Sequence, residues 1–220
     1  MKKYLQLTGL LIGLLFGSSQ ASAQELTVVG GITLTNEYAQ VYNTIVSENN
    51  LWKSGYHIGV EMDFPLVDDL AIQTGLQLQK RGYSTFDNIF GEEIKTSFST
   101  HYLVVPLLAR YQARINSQLQ LQATFGPYLA MGLWGKMISE ETLFDTKTIG
   151  KVYWGDTEDD DYTRPDMGFR LGTSLLYENY RIGISYDLGL YNTMPTAFIE
   201  DMKSQHRGWQ LMMGYTLPGK

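Results

Sequence analysis

The 220 residues carry a formal net charge of −6, no cysteine, 15 tyrosines and 22 glycines. An acidic balance argues against nucleic acid, whose binding proteins are basic. Without a thiol there is no disulfide framework, thiolate metal site or cysteine-linked lipid. Beyond the N-terminus no segment approaches 18 continuous apolar residues, so membrane insertion would have to use strands and not helices.

In chain order, Lys2 and Lys3 precede an apolar run, Leu5 to Phe16, and then Ala21-Ser22-Ala23. A basic start, a short apolar stretch and an Ala-x-Ala site predict a secretory signal peptide over residues 1–23, cleaved after Ala23. The run is too short to span a bilayer as a helix. Residues 24–220 are expected to form one domain, with a net charge of −8 once the two lysines leave.

Period-2 alternation then predicts eight strands. They are Leu26–Thr35, Ser54–Phe64, Leu70–Arg81, Phe98–Ala113, Leu119–Met131, Asp166–Tyr177, Tyr180–Tyr191 and Arg207–Leu217. The second shows the pattern clearly: Tyr56, Ile58, Val60, Met62 and Phe64 alternate with His57, Gly59, Glu61 and Asp63. Pro106, inside the fourth, predicts a bulge or local break, because proline gives the ladder no donor.

Connections alternate in length. Pro65–Asp69, Arg114–Gln118 and Glu178–Asn179 are short turns. Asn36–Lys53, Gly82–Ser97, Gly132–Pro165 and Asn192–His206 are linkers of 18, 16, 34 and 15 residues. An up-and-down transmembrane barrel has this alternation, its tight turns on the periplasmic side, which would place both termini there. Phe64, Tyr111, Tyr177, Tyr180 and Tyr215 fall near the short-turn ends of the apolar rows, and Tyr56, Phe169 and Trp209 near the long-loop ends. Two aromatic rings flanking apolar rows match membrane-interface girdles. A soluble sandwich would use those aromatics as core. A lipocalin-type barrel would need an apolar cavity and a polar exterior. Neither fits opposite rows that carry Gln, Arg, Glu, Asp and Gly. The expected fold is an all-β, eight-stranded antiparallel up-and-down β-barrel in a bacterial outer membrane.

The stretch His101-Tyr102-Leu103-Val104-Val105-Pro106-Leu107-Leu108-Ala109-Arg110-Tyr111 resembles a strand of the PorT-like outer-membrane β-barrel family of Bacteroidota. Gly126-Pro127-Tyr128, the Asp166-x-Gly168 start of the sixth strand and the closing Gly214-Tyr215 are also similar to that family. Val104 stands where the family usually has Glu, and the chain ends Leu217-Pro218-Gly219-Lys220 where barrel signals usually end on an aromatic. The resemblance covers the mature chain and implies a barrel fold and an outer-membrane location. Its motifs carry no chemistry, and it leaves room for a component of a secretion or assembly system.

Candidate chemistry is sparse. His57 and Glu61 share a lumenal row, but four residues along a strand separates their Cα atoms by about 13 Å, too far for a direct hydrogen bond. His57 is therefore expected to be a hydrogen-bonded lumenal histidine and not part of a catalytic pair. Asp156, Glu158, Asp159, Asp160 and Asp161 form one dense acidic run in the longest linker. Clustered carboxylates favour hard cations, yet the run lacks the spaced ligands and fixed glycine of a calcium loop, so it reads as a solvated, mobile loop. No phosphate-binding Gly loop, His metal pair or Ser-centred motif appears. An eight-stranded barrel is just wide enough to be filled by side chains. Arg81, Arg110, Arg170 and Arg181 are accordingly expected to pair with Glu61, Asp63 and Asp187 in a closed lumen. Neither catalytic residue nor cofactor nor metal is expected. The expected role is a structural or surface-interaction protein, monomeric, in contact with outer-membrane lipid and lipopolysaccharide and meeting protein partners through its long loops. A lipid- or lipopolysaccharide-modifying enzyme and a narrow small-solute channel are the alternatives.

Overall fold

The computed structural model describes residues 25–42, 44–89, 92–141, 146–196 and 202–218; the expected signal peptide lies outside them. The strands are β1 (Glu25–Val41), β2 (Thr44–Ile45), β3 (Leu51–Val67), β4 (Leu70–Ile89), β5 (Glu92–Arg114), β6 (Leu119–Glu141), β7 (Thr146–Lys151), β8 (Pro165–Tyr177), β9 (Tyr180–Gly189) and β10 (Met202–Leu217). Eight of them form a ring in the order β1-β3-β4-β5-β6-β8-β9-β10, every pair antiparallel. β10 closes it on β1, from Leu26↔Leu217 to Val41↔Met202. Closure removes the sheet edges, which is what allows strands to sit in lipid. The short β2 and β7 are additions, paired with β1 and β6.

Alternation is inverted relative to a soluble protein. β8 strictly alternates exposed and enclosed residues over its first seven positions. Ile182 is 51 % exposed while its neighbour Arg181 is 3 % exposed. Apolar rows such as Val28, Ile32 and Leu34 face outward, and Thr27, Thr33 and Thr35 face inward. Among the described residues the enclosed side chains are 27 polar or charged against 12 apolar, so the interior is a polar lumen and the apolar belt faces lipid.

All eight expected strands are present, and most run past the expected ends into the long linkers. β1 continues to Val41, β4 to Ile89 and β6 to Glu141, while β5 begins at Glu92 and β10 at Met202. Ladder pairing continues above the lipid, where one face no longer has to be apolar and the alternation signal fades. β9, conversely, ends at Gly189 and not at Tyr191. At Pro106, where a bulge or local break is expected, the ladder shows a break and not a bulge. The β4–β5 ladder omits Val105 and Pro106 but resumes in the same register, and the Pro106 carbonyl accepts the Thr74 hydroxyl at 2.7 Å. The register shift in β5 against β6 lies at His101/Tyr102 instead, five residues away.

Candidate functional site: the lumen and its outer cap

Strand pairing stacks the lumenal charges in tiers. Nearest the short turns, Arg110 Nη1 lies 3.2 Å from Asp63 Oδ2 and donates to Gln112 Oε1 at 2.8 Å, while Gln73 Nε2 donates to Asp63 Oδ1 at 2.9 Å. Next, Arg181 Nη2 sits 3.0 Å from Glu61 Oε2, and Gln77 Nε2 donates to Glu61 Oε1 at 2.8 Å. Gln77 also accepts from Arg170 Nη1 at 2.9 Å, joining this tier to the one above. There Arg170 grips Asp187 with two bonds, Nε to Oδ1 at 2.6 Å and Nη2 to Oδ2 at 2.9 Å. Such fork-to-fork pairs are the strongest charge-assisted type. Gln210 Nε2 adds a bond to Asp187 at 2.6 Å.

Arg81 makes the fourth tier. Its Nη1 donates to Asp166 Oδ2 at 2.5 Å, its Nη2 lies 3.7 Å from Asp187, and Gln79 accepts from its Nε and Nη2. The Tyr102 and Tyr128 rings flank the guanidinium at 4.9 and 5.2 Å, a cation–π sandwich in a desolvated setting. All four arginines and Glu61, Asp63 and Asp187 therefore meet as expected. Asp166 is a full member that the expected set omitted, and glutamines, not further charges, hydrogen-bond Asp63, Glu61 and Asp187. The enclosed cavity beside Glu61, Arg170 and Arg181 is only about 20 Å³, space for a single water.

His57 corrects one expectation. It is buried in the lumen, and neither ring nitrogen meets a hydrogen-bond partner among the described residues. It is separate from Glu61, whose partners are Arg181 and Gln77.

Above the arginine tiers the longest linker turns inward. Val152 and Tyr162 are buried, and Trp154 packs against both Tyr102 and Tyr162. Backbone bonds pin the segment from three sides: Val152 N to Gly135 O, Gly132 N to Arg164 O, and Thr163 N to Thr193 O. The Tyr162 hydroxyl donates to Glu37 Oε2 at 2.9 Å and lies 3.2 Å from the Tyr83 hydroxyl. Ser204 Oγ donates to the other Glu37 oxygen. Glu37 lies at the outer margin of the lipid belt: on β1 and β10 the outward residues beside it are Asn36, Gln205 and Arg207, the last stacked on Tyr38 at 4.6 Å. Burial pushes the Glu37 carboxyl up to about 7 against the opposing pull of Ser204 and Tyr162. His206 Nε2 is 3.9 Å away, but burial, then Arg81, hold its imidazole down to about 3, so a carboxyl that exchanges its proton near neutral pH faces a neutral imidazole. Four lumenal arginines thus face Glu61, Asp63, Asp166 and Asp187, and Glu37 is a fifth carboxyl with no arginine in ion-pair distance among the described residues.

Sequence reading missed Glu37, Tyr83, Ser204 and His206 because the strands appeared to stop too early. Each continues a lumenal row by one more alternation: Thr33, Thr35, Glu37 on β1 and Gln79, Arg81, Tyr83 on β4. For Tyr162 and Trp154 the only signal was aromatics inside an otherwise acidic loop. That acidic run is built into the loop and is not simply solvated. Asp156 accepts from Thr196 N and Oγ1, Asp160 from Thr157 N and Oγ1, and Asp161 from Tyr153 N. These carboxylates each cap their own stretch of backbone, and no acidic or histidine cluster among the described residues is arranged to hold a metal ion.

No curated protein matches the chain. Among solved structures, it is similar to Ail, the attachment invasion locus protein of Yersinia pestis, in complex with the heparin analogue sucrose octasulfate, at 16 % identity and a TM-score of 0.39 over 89 % of this chain and 100 % of that one. It is similar to the outer membrane protein OprG of Pseudomonas aeruginosa at 11 % identity and 0.42, over 90 % and 97 %. It is also similar to Neisserial surface protein A at 11 % identity and 0.39, over 87 % and 96 %. The family model described as outer membrane protein beta-barrel domain matches residues 9–194, and the chain belongs to that family.

Proposed function

We propose that this outer-membrane barrel is a closed, non-conducting and non-catalytic scaffold that acts by contact at the cell surface. The observation that carries the reading is the lumen itself: four arginine tiers, each neutralised, lie beneath a roof of Tyr162 and Trp154. An open channel needs a wet path, and this interior is occupied by paired side chains. Catalysis needs a nucleophile facing a base. Ser204 instead donates to Glu37 inside the capped mouth, buried beneath Tyr162. In the usual outer-membrane orientation, both termini and the short turns are periplasmic and the strand extensions stand outside, where a rigid scaffold presents binding residues. The resemblance to the PorT-like family makes a secretion or assembly component the partner class to test first.

Planar-bilayer recording of the purified barrel is the direct test, with no steady single-channel current expected. Steady conductance would replace this reading with a channel. Lipid A from cells with and without the gene is expected to have the same mass profile; a changed acyl or phosphate pattern would make the protein an enzyme. Crosslinking on intact cells is expected to capture a protein at the long-loop side.

A further inference from the structure

The outward face of the strand extensions is basic, although the whole chain is acidic. Directly opposed residues in antiparallel strands share a face, so pairing alone lays this surface out. Lys80 on β4 opposes His101 on β5, which opposes Trp134 on β6. One step further from the lipid, Gly82 opposes Ser99, which opposes Lys136, and Lys136 opposes Lys151 on β7. Lys53 lies in the stretch of β3 where the register against β4 shifts, between Trp52 and His57, and there its side chain, although opposite the inward Thr35, reaches this face: its Cδ lies 3.2 Å from where a side chain on Gly82 would begin.

This face carries more cations than carboxylates. Glu140, further out, lies opposite Lys95 and Lys147 and is paired with Lys147 at 2.7 Å. No ion pair joins Lys53, Lys80 or Lys136 to a carboxylate among the described residues. Partial burial, then repulsion from Lys80, Lys136 and Lys95, holds the Lys53 ammonium down to about 8, against a weaker pull from Glu140. Cations crowded around a single, already paired carboxylate leave a net positive field that attracts an external anion.

Position indicates which anion. His101 stacks on Trp134 with ring centroids 4.7 Å apart and lies 6.0 Å from Tyr56, forming the aromatic rim of the belt. Aromatic girdles sit at headgroup level; Lys80 stands level with this one and Lys136 one step outside it. Below the rim, on the same outward face, Leu76, Leu107 and Leu129 are exposed apolar surface for acyl chains. We propose that Lys53, Lys80 and Lys136, beside His101 and Trp134, bind the phosphate groups of a phosphorylated glycolipid in the surrounding outer leaflet. A free phosphate would gain nothing from the apolar surface beneath. The proposal rests on the membrane-barrel fold and is independent of whether the lumen conducts.

The test uses the full barrel in detergent, titrated with bisphosphorylated lipid A, with its dephosphorylated form and with inorganic phosphate. The bisphosphorylated form is expected to bind at least about tenfold tighter than the dephosphorylated one, with millimolar inorganic phosphate failing to displace it. The triple variant Lys53→Gln, Lys80→Gln, Lys136→Gln is expected to weaken binding on the order of a hundredfold, at about fivefold per lysine at an anionic surface. Heat-modifiable migration confirms that the variant is folded; the single variants Lys80→Gln and Lys136→Gln, each expected to lose about fivefold, serve if it is not. Lys147→Gln, on the same face but further out, is expected to bind like the wild type. Equal binding of the two lipid forms, displacement by inorganic phosphate, unchanged affinity in the folded lysine variants, or an equal loss in Lys147→Gln would each overturn the proposal.

Discussion

Tyr162 donates its hydroxyl to Glu37 at 2.9 Å, joining the longest linker to the first strand across 125 residues of chain. That bond fastens the cap to the barrel wall, and its acceptor is a carboxyl that burial pushes up to about 7. In the folded barrel Glu37 therefore holds a proton that the unfolded chain releases near 4.5. Its contribution to stability is complete below about pH 4.5 and is lost as pH rises through about 7. Tyr162, Tyr83, Ser204 and His206 surround it, and His206 stays neutral across that window. Urea midpoints in lipid vesicles are expected to fall between pH 5 and pH 8, by at most about 3 kcal/mol. Glu37→Gln is expected to flatten this dependence. A slope that persists in the variant would place the titration elsewhere.

The arginine tiers differ in redundancy. Asp187 contacts Arg170, Arg81 and Gln210, whereas among the described residues Glu61 forms an ion pair with Arg181 alone. Arg181→Ala is expected to destabilise by about 3–5 kcal/mol, because it strands a desolvated charge. Arg170→Ala is expected to cost less, since Arg81 remains 3.7 Å from Asp187. The two urea midpoints measured side by side decide this. Arg170→Ala falling further would show that the bidentate bond outweighs the second cation.

Gly132 faces the Trp154 ring so closely that a Cβ there would meet Cζ3 at 2.1 Å. Gly132→Ala is expected to push Trp154 out of the barrel mouth while leaving the arginine tiers paired. Tryptophan emission should shift to the red and acrylamide quenching increase, with the unfolding midpoint falling by about 1–3 kcal/mol from overpacking. Planar bilayers carrying the variant should still pass no current, because the Arg81 and Arg170 tiers lie beneath the cap.

The turn between β8 and β9 holds Glu178 at a φ of 52°, a left-handed conformation costly for a residue with a Cβ. Glu178→Gly is expected to raise the unfolding midpoint by up to about 1 kcal/mol, since glycine adopts that region freely. The only side-chain partner lost is an exposed Gln118 contact at 3.3 Å. A lower midpoint would mean that this contact, or the greater freedom of glycine in the unfolded chain, outweighs the backbone strain.

By itself the sequence determined whatever depends on local periodicity against lipid. Ile182, Ile184, Tyr186 and Leu188 alternating with Arg181, Gly183, Ser185 and Asp187 defines a strand, its two faces and the inversion that puts charge inside. Because a one-residue slip would turn every arginine into lipid, that pattern also put Arg81, Arg110, Arg170 and Arg181 in one lumen with Glu61, Asp63 and Asp187. Tertiary structure decided what happens where lipid no longer imposes alternation. Above the belt the strands keep pairing without an apolar row to announce them, so Glu37, Tyr83 and His206 emerged as lumenal only once the ring had closed. The entry of Tyr162 and Trp154 into the mouth depends on contacts with β1, β4 and β5, far away in sequence. The same holds for the basic face, since Lys53, Lys80 and Lys136 come from three strands that only the barrel's register brings together.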